Sequence, residues 1–493
     1  MVRRGRAKNP GRFRRILRSL VMMTLGALAA FMVVAVYLLN AKPELSIWHR
    51  AELEEEFSVN SPVHTLVDYL ALEDRLFSEL KLKVYDRIAA AERTRVNRYN
   101  TGSLSDPGTW TRNWNRTFEL TAADPSFAAL LLHGYSDSPY SLRSLGLVLN
   151  AEGGHVLGLR LPGHGTAPSA LKFTSWQDMA AAVRLAMAEL ARRFPGKPIV
   201  VAGYSNGGAL AVQYALEALA DDGLPRPSGL ILISAEIGVT PAAALAGWQS
   251  AFGHILGLDK LAWNSVQPEY NPFKYNSFAV NAAVQAHRIT GHIQKQMDRL
   301  DANGLLGKMP PVLAFQSAVD ATVTARALLS GLFDRLKPGG HRLVVFDINR
   351  IFEAQGLIRR PPVLDTLLTG QTRPYGVAII GNRHADTKAV VLRFRPADSD
   401  DLTQRDLFMT WPPELYSLSH IALPFPPEDP LYGSDDANEN PGLKLGQLAL
   451  RGEVRVTEVP TSAMTRLHWN PFHQVLISEI KRFLSAPVGL VTE

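Results

Sequence analysis

V-V-A-G-Y-S-N-G-G, residues 200–208, is the most informative stretch of this sequence. Gly203, Ser205 and Gly207 form the pattern G-x-S-x-G, directly after an apolar run and directly before an alanine-rich stretch. A serine on a sharp strand-to-helix turn has strained backbone, and only small neighbours let the chain pass closely there. The helix that follows points its N–H groups and its positive dipole end towards the serine. This context predicts Ser205 as a nucleophile, with a plain tight turn as the alternative.

Around this stretch, short apolar runs alternate with helical patterns. Buried strands are predicted at 128–132, 154–159, 198–202 and 229–234, with helices at 176–193 and 208–220. Strands and helices in alternation predict an α/β fold, in which helices cover both faces of a mostly parallel sheet. Ligands bind at the carboxyl ends of the strands in such sheets, so site residues are expected where the predicted strands end.

A second motif, L-L-L-H-G-Y at 130–135, also stands at the end of an apolar run. Acyl transfer requires two donors aimed at the oxyanion that develops in the transition state. We predict the backbone N–H groups of Tyr135 and Asn206 as these donors. His133 is interpreted as a structural ring that supports the loop, and so is His164 in the turn L-P-G-H-G-T at 161–166.

These three motifs together resemble the α/β-hydrolase superfamily. The resemblance is to the branch that holds carboxylesterases, monoacylglycerol lipases and serine aminopeptidases. It runs from about residue 113 to about 236 and resumes from 309 towards the C-terminus. The motifs are specific for the α/β-hydrolase fold and less specific for the substrate. The resemblance implies a Ser–acid–His triad in that chain order.

Asp320 is the predicted acid of the triad. It follows the apolar run in P-P-V-L-A-F-Q-S-A-V-D, residues 310–320, and precedes a predicted helix at 325–336. There it would orient the histidine and stabilise its cation. The same neighbourhood would also permit a helix-capping role for Asp320.

Four histidines are candidates for the base of the triad. A strand is predicted at 341–347, and the histidines that follow it are His384, His420, His468 and His473. His384 lies between two apolar runs, which indicates a hairpin turn, whereas the last two lead into a predicted helix at 474–484. His420 lies in the loop S-L-S-H-I-A-L-P, which resembles the family's histidine loop best. We therefore predict His420, preceded by an insertion at about 348–410.

The sequence divides into a core in two parts, with additions. The core comprises 113–236 and 309–493, and residues 40–112 form a helical stalk or collar. The span 237–308 interrupts the sheet pattern where relatives carry a cap, and a helical cap is predicted there. Its aromatic residues would make an apolar acyl pocket, although packing of the cap on the core would explain each one singly. They are Trp248, Phe252, Trp263, Tyr270, Phe273, Tyr275 and Phe278.

Residues 20–39 predict a membrane anchor. The stretch L-V-M-M-T-L-G-A-L-A-A-F-M-V-V-A-V-Y-L-L has no charge or proline, and as a helix it would span about 30 Å. The basic tail 1–19 precedes it and the acidic run 52–56 follows it. This asymmetry predicts a single-pass protein with a cytoplasmic N-terminus and an extracytoplasmic catalytic domain, periplasmic in a bacterium. A cleaved signal peptide is the alternative, but its apolar region would usually be only about 7–15 residues long.

Charge and composition exclude several classes of function. The net charge is +6, and the tail 1–19 alone holds eight basic residues and no acid; subtracting those eight leaves the other 474 residues at −2. The body of the chain therefore has no charge signature of nucleic-acid binding. The chain has no cysteine, which excludes disulfides and thiolate metal sites. With no metal-binding cluster and no phosphate-binding glycine loop in the sequence, we expect no cofactor.

Together the motifs predict a membrane-anchored serine hydrolase that cleaves carboxylic esters of apolar or lipid-like acyl groups through an acyl-enzyme. A peptidase or an acyltransferase would use the same residues, because the choice of acceptor depends on the shape of the pocket. The alternative from another class is an inactive, membrane-tethered binding protein, since fold alone never proves function.

Overall fold

The computed structural model describes residues 15, 17–27, 30, 42–238, 259–320, 322–351, 364–434, 443–446 and 466–485. Most of the predicted anchor lies outside these residues, and only its start falls in the helical stretch 17–27. Within the described part of the chain, no helix is both long and apolar enough to cross a membrane. Trp248 and Phe252 of the predicted cap also lie outside the described residues.

One large sheet forms the centre of the described structure. Its strands are β1 Phe118–Leu120, β2 Phe127–Leu132, β3 Gly154–Leu159, β4 Ile199–Tyr204, β5 Gly229–Ile233, β8 Val312–Ser317, β9 Arg342–Phe346, β10 Gly376–Asn382, β11 Ala389–Arg395 and β12 Thr403–Thr410; β6 Trp263–Ser265 and β7 Phe278–Ala279 form a separate antiparallel pair. The order of the strands across the large sheet is β1-β3-β2-β4-β5-β8-β9-β10-β11-β12. The pairs from β3 through β2, β4, β5, β8 and β9 to β10 are parallel, while β1 at one edge and β11 and β12 at the other pair antiparallel.

Helices cover both faces of the sheet because its central strands are apolar on both sides. In β2, Leu130 and Leu132 point into one core cluster, whereas Ala129 and Leu131 point into another. The helices are α1 Ile47–Arg50, α2 Leu66–Lys83, α3 Arg143–Ala151, α4 Trp176–Arg193, α5 Asn206–Ala220, α6 Val280–Ala302, α7 Ala325–Gly331, α8 Asp365–Leu368 and α9 His473–Ser485. Helices α2, α4, α5 and α6 contribute to the first cluster, and α3 and α9 contribute to the second.

The segment from residue 42 to 112 packs on the sheet domain. Phe57 and Tyr69 join the main core cluster, and the Tyr69 hydroxyl donates to the carbonyl oxygen of Arg160 at 2.6 Å. The fully buried guanidinium of Arg160 forms ion pairs with Glu56 and Glu73 at 3.1 Å each. These contacts link α2 and the chain before it to the end of β3.

Two regions differ in detail from the sequence-based expectation. Helix α6 lies within the span 237–308, but Ile289, Ile293 and Met297 on its buried face belong to the main core cluster, so this part of the span covers the sheet. The insertion before His420 extends the sheet: β10 pairs in parallel with β9, and a hairpin carries β11 and then β12. Strand β12 is largely exposed, so it lacks the buried-strand pattern.

Candidate active site

Ser205 lies on a strained turn between β4 and α5. Its backbone has φ 54° and ψ −117°, a conformation that non-glycine residues rarely adopt. The neighbouring strand holds this turn in place, because the Ser205 N–H donates to the carbonyl oxygen of Ile233 at 3.0 Å. The Ser205 carbonyl oxygen accepts from the N–H groups of Gly208 and Glu236, both at 2.9 Å. The turn therefore presents the side chain of Ser205 at the carboxyl edge of the sheet.

The glycines of the elbow, residues 203–207, are required by close backbone contacts. A Cβ atom on Gly207 would lie 1.9 Å from the carbonyl oxygen of Leu132, and one on Gly203 would lie 2.3 Å from the carbonyl oxygen of Gly207. Real Cβ atoms essentially never approach other atoms so closely. Helix α5 can therefore start beside the end of β2 only because both positions lack a side chain.

The loop after β2 lies directly against the elbow. A Cβ atom built on Gly134 would be 3.1 Å from the Cβ of Ser205. Asn206 is the first residue of α5, so its N–H has no acceptor within the helix and is available to a bound group. The structure thus places the two predicted donors, Tyr135 and Asn206, on the loop and the helix start that flank Ser205.

His133 and His164 support the backbone of this loop. His133 Nε2 accepts from the Leu161 N–H at 3.0 Å, and its Nδ1 donates to the Gly134 carbonyl oxygen at 2.9 Å. His164 Nδ1 donates to the Pro162 carbonyl oxygen at 2.8 Å. Burial lowers the pKa of His133 well below its usual value and that of His164 to about 4, so both rings are neutral at pH 7.

Asp320 and His420 are hydrogen-bonded to each other. His420 Nδ1 donates to Asp320 Oδ2 at 2.8 Å, and both side chains are buried. Asp320 Oδ1 accepts from the N–H groups of Thr322 and Val323 at 2.8 and 2.9 Å. Burial acts to raise the pKa of Asp320, but the His420 hydrogen bond and charge and these two amides outweigh it and lower the pKa. Asp320 is thus held as a carboxylate that faces the histidine.

The loop with His420 is placed beside the elbow by contacts at two strand ends. The Ser317 hydroxyl, at the end of β8, donates to the Leu418 carbonyl oxygen at 2.8 Å. The ring of His420 lies 5.4 Å, centroid to centroid, from the ring of Tyr204, the residue before Ser205. The structure therefore brings Ser205, Asp320 and His420 to the same edge of the sheet, although 100 residues separate the acid from the histidine.

The other candidate histidines have different surroundings. His384 lies in the turn that connects β10 and β11. His468 stacks on Tyr432 with ring centroids 6.0 Å apart, and His473 is the first residue of α9. Burial is the main reason that the pKa values of His468 and His473 are both lowered to about 4. Of the four candidates, His420 is the one hydrogen-bonded to Asp320 within the described structure.

A cluster centred on Asp429 joins the loop after His420 to the loop after β2. Asp429 Oδ1 accepts from the Tyr140 hydroxyl at 2.9 Å and from the N–H groups of Leu431 and Tyr432 at 3.0 and 2.9 Å. Tyr140 in turn stacks on Phe273 with ring centroids 4.4 Å apart. Two loops that carry predicted site residues therefore share one buried carboxylate.

Glu236 also contacts the elbow, and it is not among the residues predicted from the sequence. Its backbone N–H donates to the Ser205 carbonyl oxygen, and its Oε2 atom is buried and has no hydrogen-bond partner in the described structure. Burial alone raises the pKa of Glu236 to about 8. The buried Tyr135 hydroxyl also has no partner among the described residues. The one sequence signal was the position of Glu236 shortly after a predicted strand of the parallel sheet.

The described residues contain no group of three or more histidine, aspartate or glutamate side chains that could hold a metal ion.

Part of this chain is similar to known proteins. Residues 123–347 match the family model described as serine aminopeptidase, S33. The thermostable monoacylglycerol lipase of Bacillus sp. (strain H-257) is 26% identical over 194 residues, which cover 38% of this chain and 73% of that protein. The solved monoacylglycerol lipase of Paleococcus ferrophilus is 20% identical, with 47% of this chain and 88% of that chain covered and a TM-score of 0.36. A metagenome-derived lipolytic enzyme is 21% identical over 48% and 88% of the two chains, also with a TM-score of 0.36.

The parallel sheet, the strained serine turn and the family match identify the chain as a hydrolase of the α/β-hydrolase superfamily. The match of residues 123–347 to the serine aminopeptidase, S33 model and the similarity to a monoacylglycerol lipase support the branch of carboxylesterases, monoacylglycerol lipases and serine aminopeptidases. The resemblance inferred from the sequence motifs is thereby confirmed.

Proposed function

We propose that this chain is a membrane-anchored serine esterase of the lipase type, which hydrolyses carboxylic esters of apolar acyl groups. The observation that carries the proposal is the 2.8 Å hydrogen bond between His420 and Asp320 beside the strained Ser205 turn. With Nδ1 committed to Asp320, Nε2 is the ring nitrogen that remains for the serine proton.

The proposed reaction has two stages. Ser205 Oγ attacks the ester carbonyl carbon while His420 takes the hydroxyl proton, and the N–H groups of Tyr135 and Asn206 receive the oxyanion. The carbon–oxygen bond to the alcohol then breaks, and His420 returns the proton to the leaving alcohol. In the second stage water attacks the acyl-enzyme, His420 takes a proton from the water, and the carboxylic acid leaves as the proton returns to Ser205. Asp320 stabilises the histidine cation in both stages.

The surroundings of the site support an apolar acyl group. Tyr135 packs against a buried cluster that includes Leu171, Trp263 and Ala279. Pockets lined by apolar and aromatic side chains bind apolar ligand groups. The relative from Bacillus is named a monoacylglycerol lipase, which supports a lipid ester as the substrate class. The family model is named for an aminopeptidase, so an aminoacyl amide is the second candidate substrate.

The proposed anchor is the apolar stretch 20–39. Its length and the basic tail before it are the main support. The described start of this stretch is helical and exposes large apolar side chains, among them Met22 and Met23. The proposal puts the catalytic domain outside the cytoplasm. A reporter fused after Glu493 should be active only on that side, and a reporter active only in the cytoplasm would reject the topology.

The nucleophile and base are tested with variants of the full chain. Ser205→Ala should abolish labelling by a fluorophosphonate probe and hydrolysis of a panel of acyl esters of increasing chain length. His420→Ala should lower the rate by a factor of about 10⁴, as loss of a triad member does. His384→Ala, in the β10–β11 turn, is the matched control and should retain activity. Full labelling of Ser205→Ala would reject the nucleophile, and preferred cleavage of aminoacyl amides would favour the peptidase.

A further inference from the structure

Lys42 lies three positions beyond the apolar stretch 20–39 and is hydrogen-bonded to residues 260–263 of the cap region. Lys42 Nζ donates to the carbonyl oxygens of Trp263 and Lys260 at 2.6 and 3.2 Å. In return, Lys260 Nζ donates to the Lys42 carbonyl oxygen at 3.2 Å and to Glu44 Oε1 at 2.6 Å. The connection between residues 42–44 and residues 260–263 is therefore reciprocal.

The next residues continue the same attachment. Leu45 is buried in a cluster with Leu171, Trp263, Tyr275 and Ala279. His49 Nε2 lies 2.9 Å from the Ser277 hydroxyl oxygen, within hydrogen-bond distance. The chain from 42 to 49 is thus packed against β6 and β7 and is not a free linker.

This attachment leaves almost no length between the anchor and the domain. Two residues, 40 and 41, lie between position 39, where the apolar stretch ends, and Lys42. The three Cα–Cα steps from position 39 to position 42 span at most about 11 Å when the chain is fully extended. If residues 20–39 cross a bilayer, the edge of the cap at Lys42 lies within about that distance of the end of the apolar span.

The same edge lies next to the proposed oxyanion loop. Tyr135 packs against the cluster that contains Leu45 and Trp263. The Tyr275 N–H, between β6 and β7, donates to the Ser136 carbonyl oxygen at 2.7 Å. Leu45 and the loop beside Ser205 therefore pack on the same buried cluster.

The surface at this edge exposes a large apolar side chain. Phe173 is 58% exposed and lies two positions after Leu171, a member of the cluster that contains Leu45 and Trp263. The Nζ atom of Lys172 lies 5.1 Å from the centre of the Phe173 ring. An exposed phenylalanine with an adjacent cation suits the boundary between lipid headgroups and acyl chains, where the ring is buried and the ammonium group meets phosphate.

We propose that the surface formed by residues 42–44, 172–173 and 260–262, the apposition surface, rests on the lipid bilayer and holds the loop beside Ser205 close to it. This inference rests on the proposed anchor and deepens the proposed function, since it names the bilayer as the source of the ester. A substrate in the lipid layer then reaches Ser205 without crossing bulk water.

The chain has no cysteine, so a single introduced thiol can be labelled cleanly. In the full chain reconstituted in vesicles of phosphatidylcholine and phosphatidylglycerol, Phe173→Cys carries an environment-sensitive fluorophore, and nitroxide-labelled lipids act as the quencher. Phe408→Cys is the matched control, because Phe408 is 97% exposed on β12 at the edge strand of the sheet. We expect strong quenching at position 173 and little at position 408.

A second variant inserts a flexible Gly-Ser linker of about 15 residues between Asn40 and Ala41, which adds a root-mean-square length of about 20 Å. Quenching at position 173 should fall in this variant, because the domain can then leave the interface. Equal, weak quenching at positions 173 and 408 in the original chain would overturn the inference.

Two further measurements separate this inference from the proposals beneath it. Extraction with alkaline carbonate shows whether the wild-type full chain is anchored, and a water-soluble short-chain ester shows whether it is an esterase. If the protein is retained and active but position 173 is not quenched, the apposition surface alone is rejected. If the protein is released by carbonate, the anchor is rejected and the apposition surface with it.

Discussion

Replacement of Glu236 by glutamine should make the folded protein more stable at neutral pH. The Glu236 backbone N–H donates to the Ser205 carbonyl oxygen, and its buried Oε2 atom has no hydrogen-bond partner in the described part of the chain. Burial raises its pKa from 4.5 to about 8. Folding therefore requires the carboxyl to take up a proton at any pH between these two values, whereas the glutamine side chain has no proton to take up.

The size and sign of the effect follow from linkage. A group with a raised pKa in the folded state contributes stability that is fully present below its unfolded pKa and is lost as pH rises through its folded pKa. For Glu236 the window runs from pH 4.5 to about pH 8. Each pH unit inside it lowers the free energy of unfolding by about 1.4 kcal/mol, which gives about 3 kcal/mol at pH 7 as an order of magnitude.

The measurement is denaturant unfolding of the full chain in detergent at a series of pH values. The stability of Glu236→Gln relative to wild type should increase steadily between about pH 5 and pH 8. Glu414→Gln changes an exposed glutamate and is the matched control, for which no such increase is expected. A difference between Glu236→Gln and wild type that stays constant over this pH range would refute the reasoning, because it would show that the carboxyl keeps an ordinary pKa.

Two further predictions concern packing. Gly207→Ala should prevent accumulation of folded protein, because its Cβ would lie 1.9 Å from the Leu132 carbonyl oxygen. Gly291→Ala, in an exposed and open position of α6, should instead raise the free energy of unfolding by up to about 1 kcal/mol. Soluble yield and thermal unfolding of the two variants check both expectations. Asp429→Ala should lower stability by about 2 kcal/mol or more, because it leaves the Tyr140 hydroxyl and two amides without their acceptor. Thermal unfolding that matches wild type would contradict the role of Asp429.

Local features of the fold were predictable because their signals are short-range. The predicted strand at 154–159 coincides with β3, and the predicted helix at 176–193 coincides with α4, which starts with a capping box at Ser175. The strand before the elbow reaches Tyr204, two residues further than its apolar run indicated, because pairing with β5 continues to the turn. The hairpin at His384 was also visible from its two flanking apolar runs. In each case a few neighbouring residues carry the pattern.

The sequence by itself determined the strand–turn–helix at Ser205, the parallel sheet and the superfamily, because apolar runs and glycines act over a few residues. It did not determine how the insertion folds, since β10 joins the sheet through β9 and not through a local partner. Only the tertiary structure brought His420 to Asp320 across 100 residues and left His468 and His473 in other surroundings. It alone also buried Glu236 Oε2 without a hydrogen-bond partner among the described residues and fixed Lys42 on Trp263. Such contacts depend on which distant segments pack together, and that information is spread over the whole core.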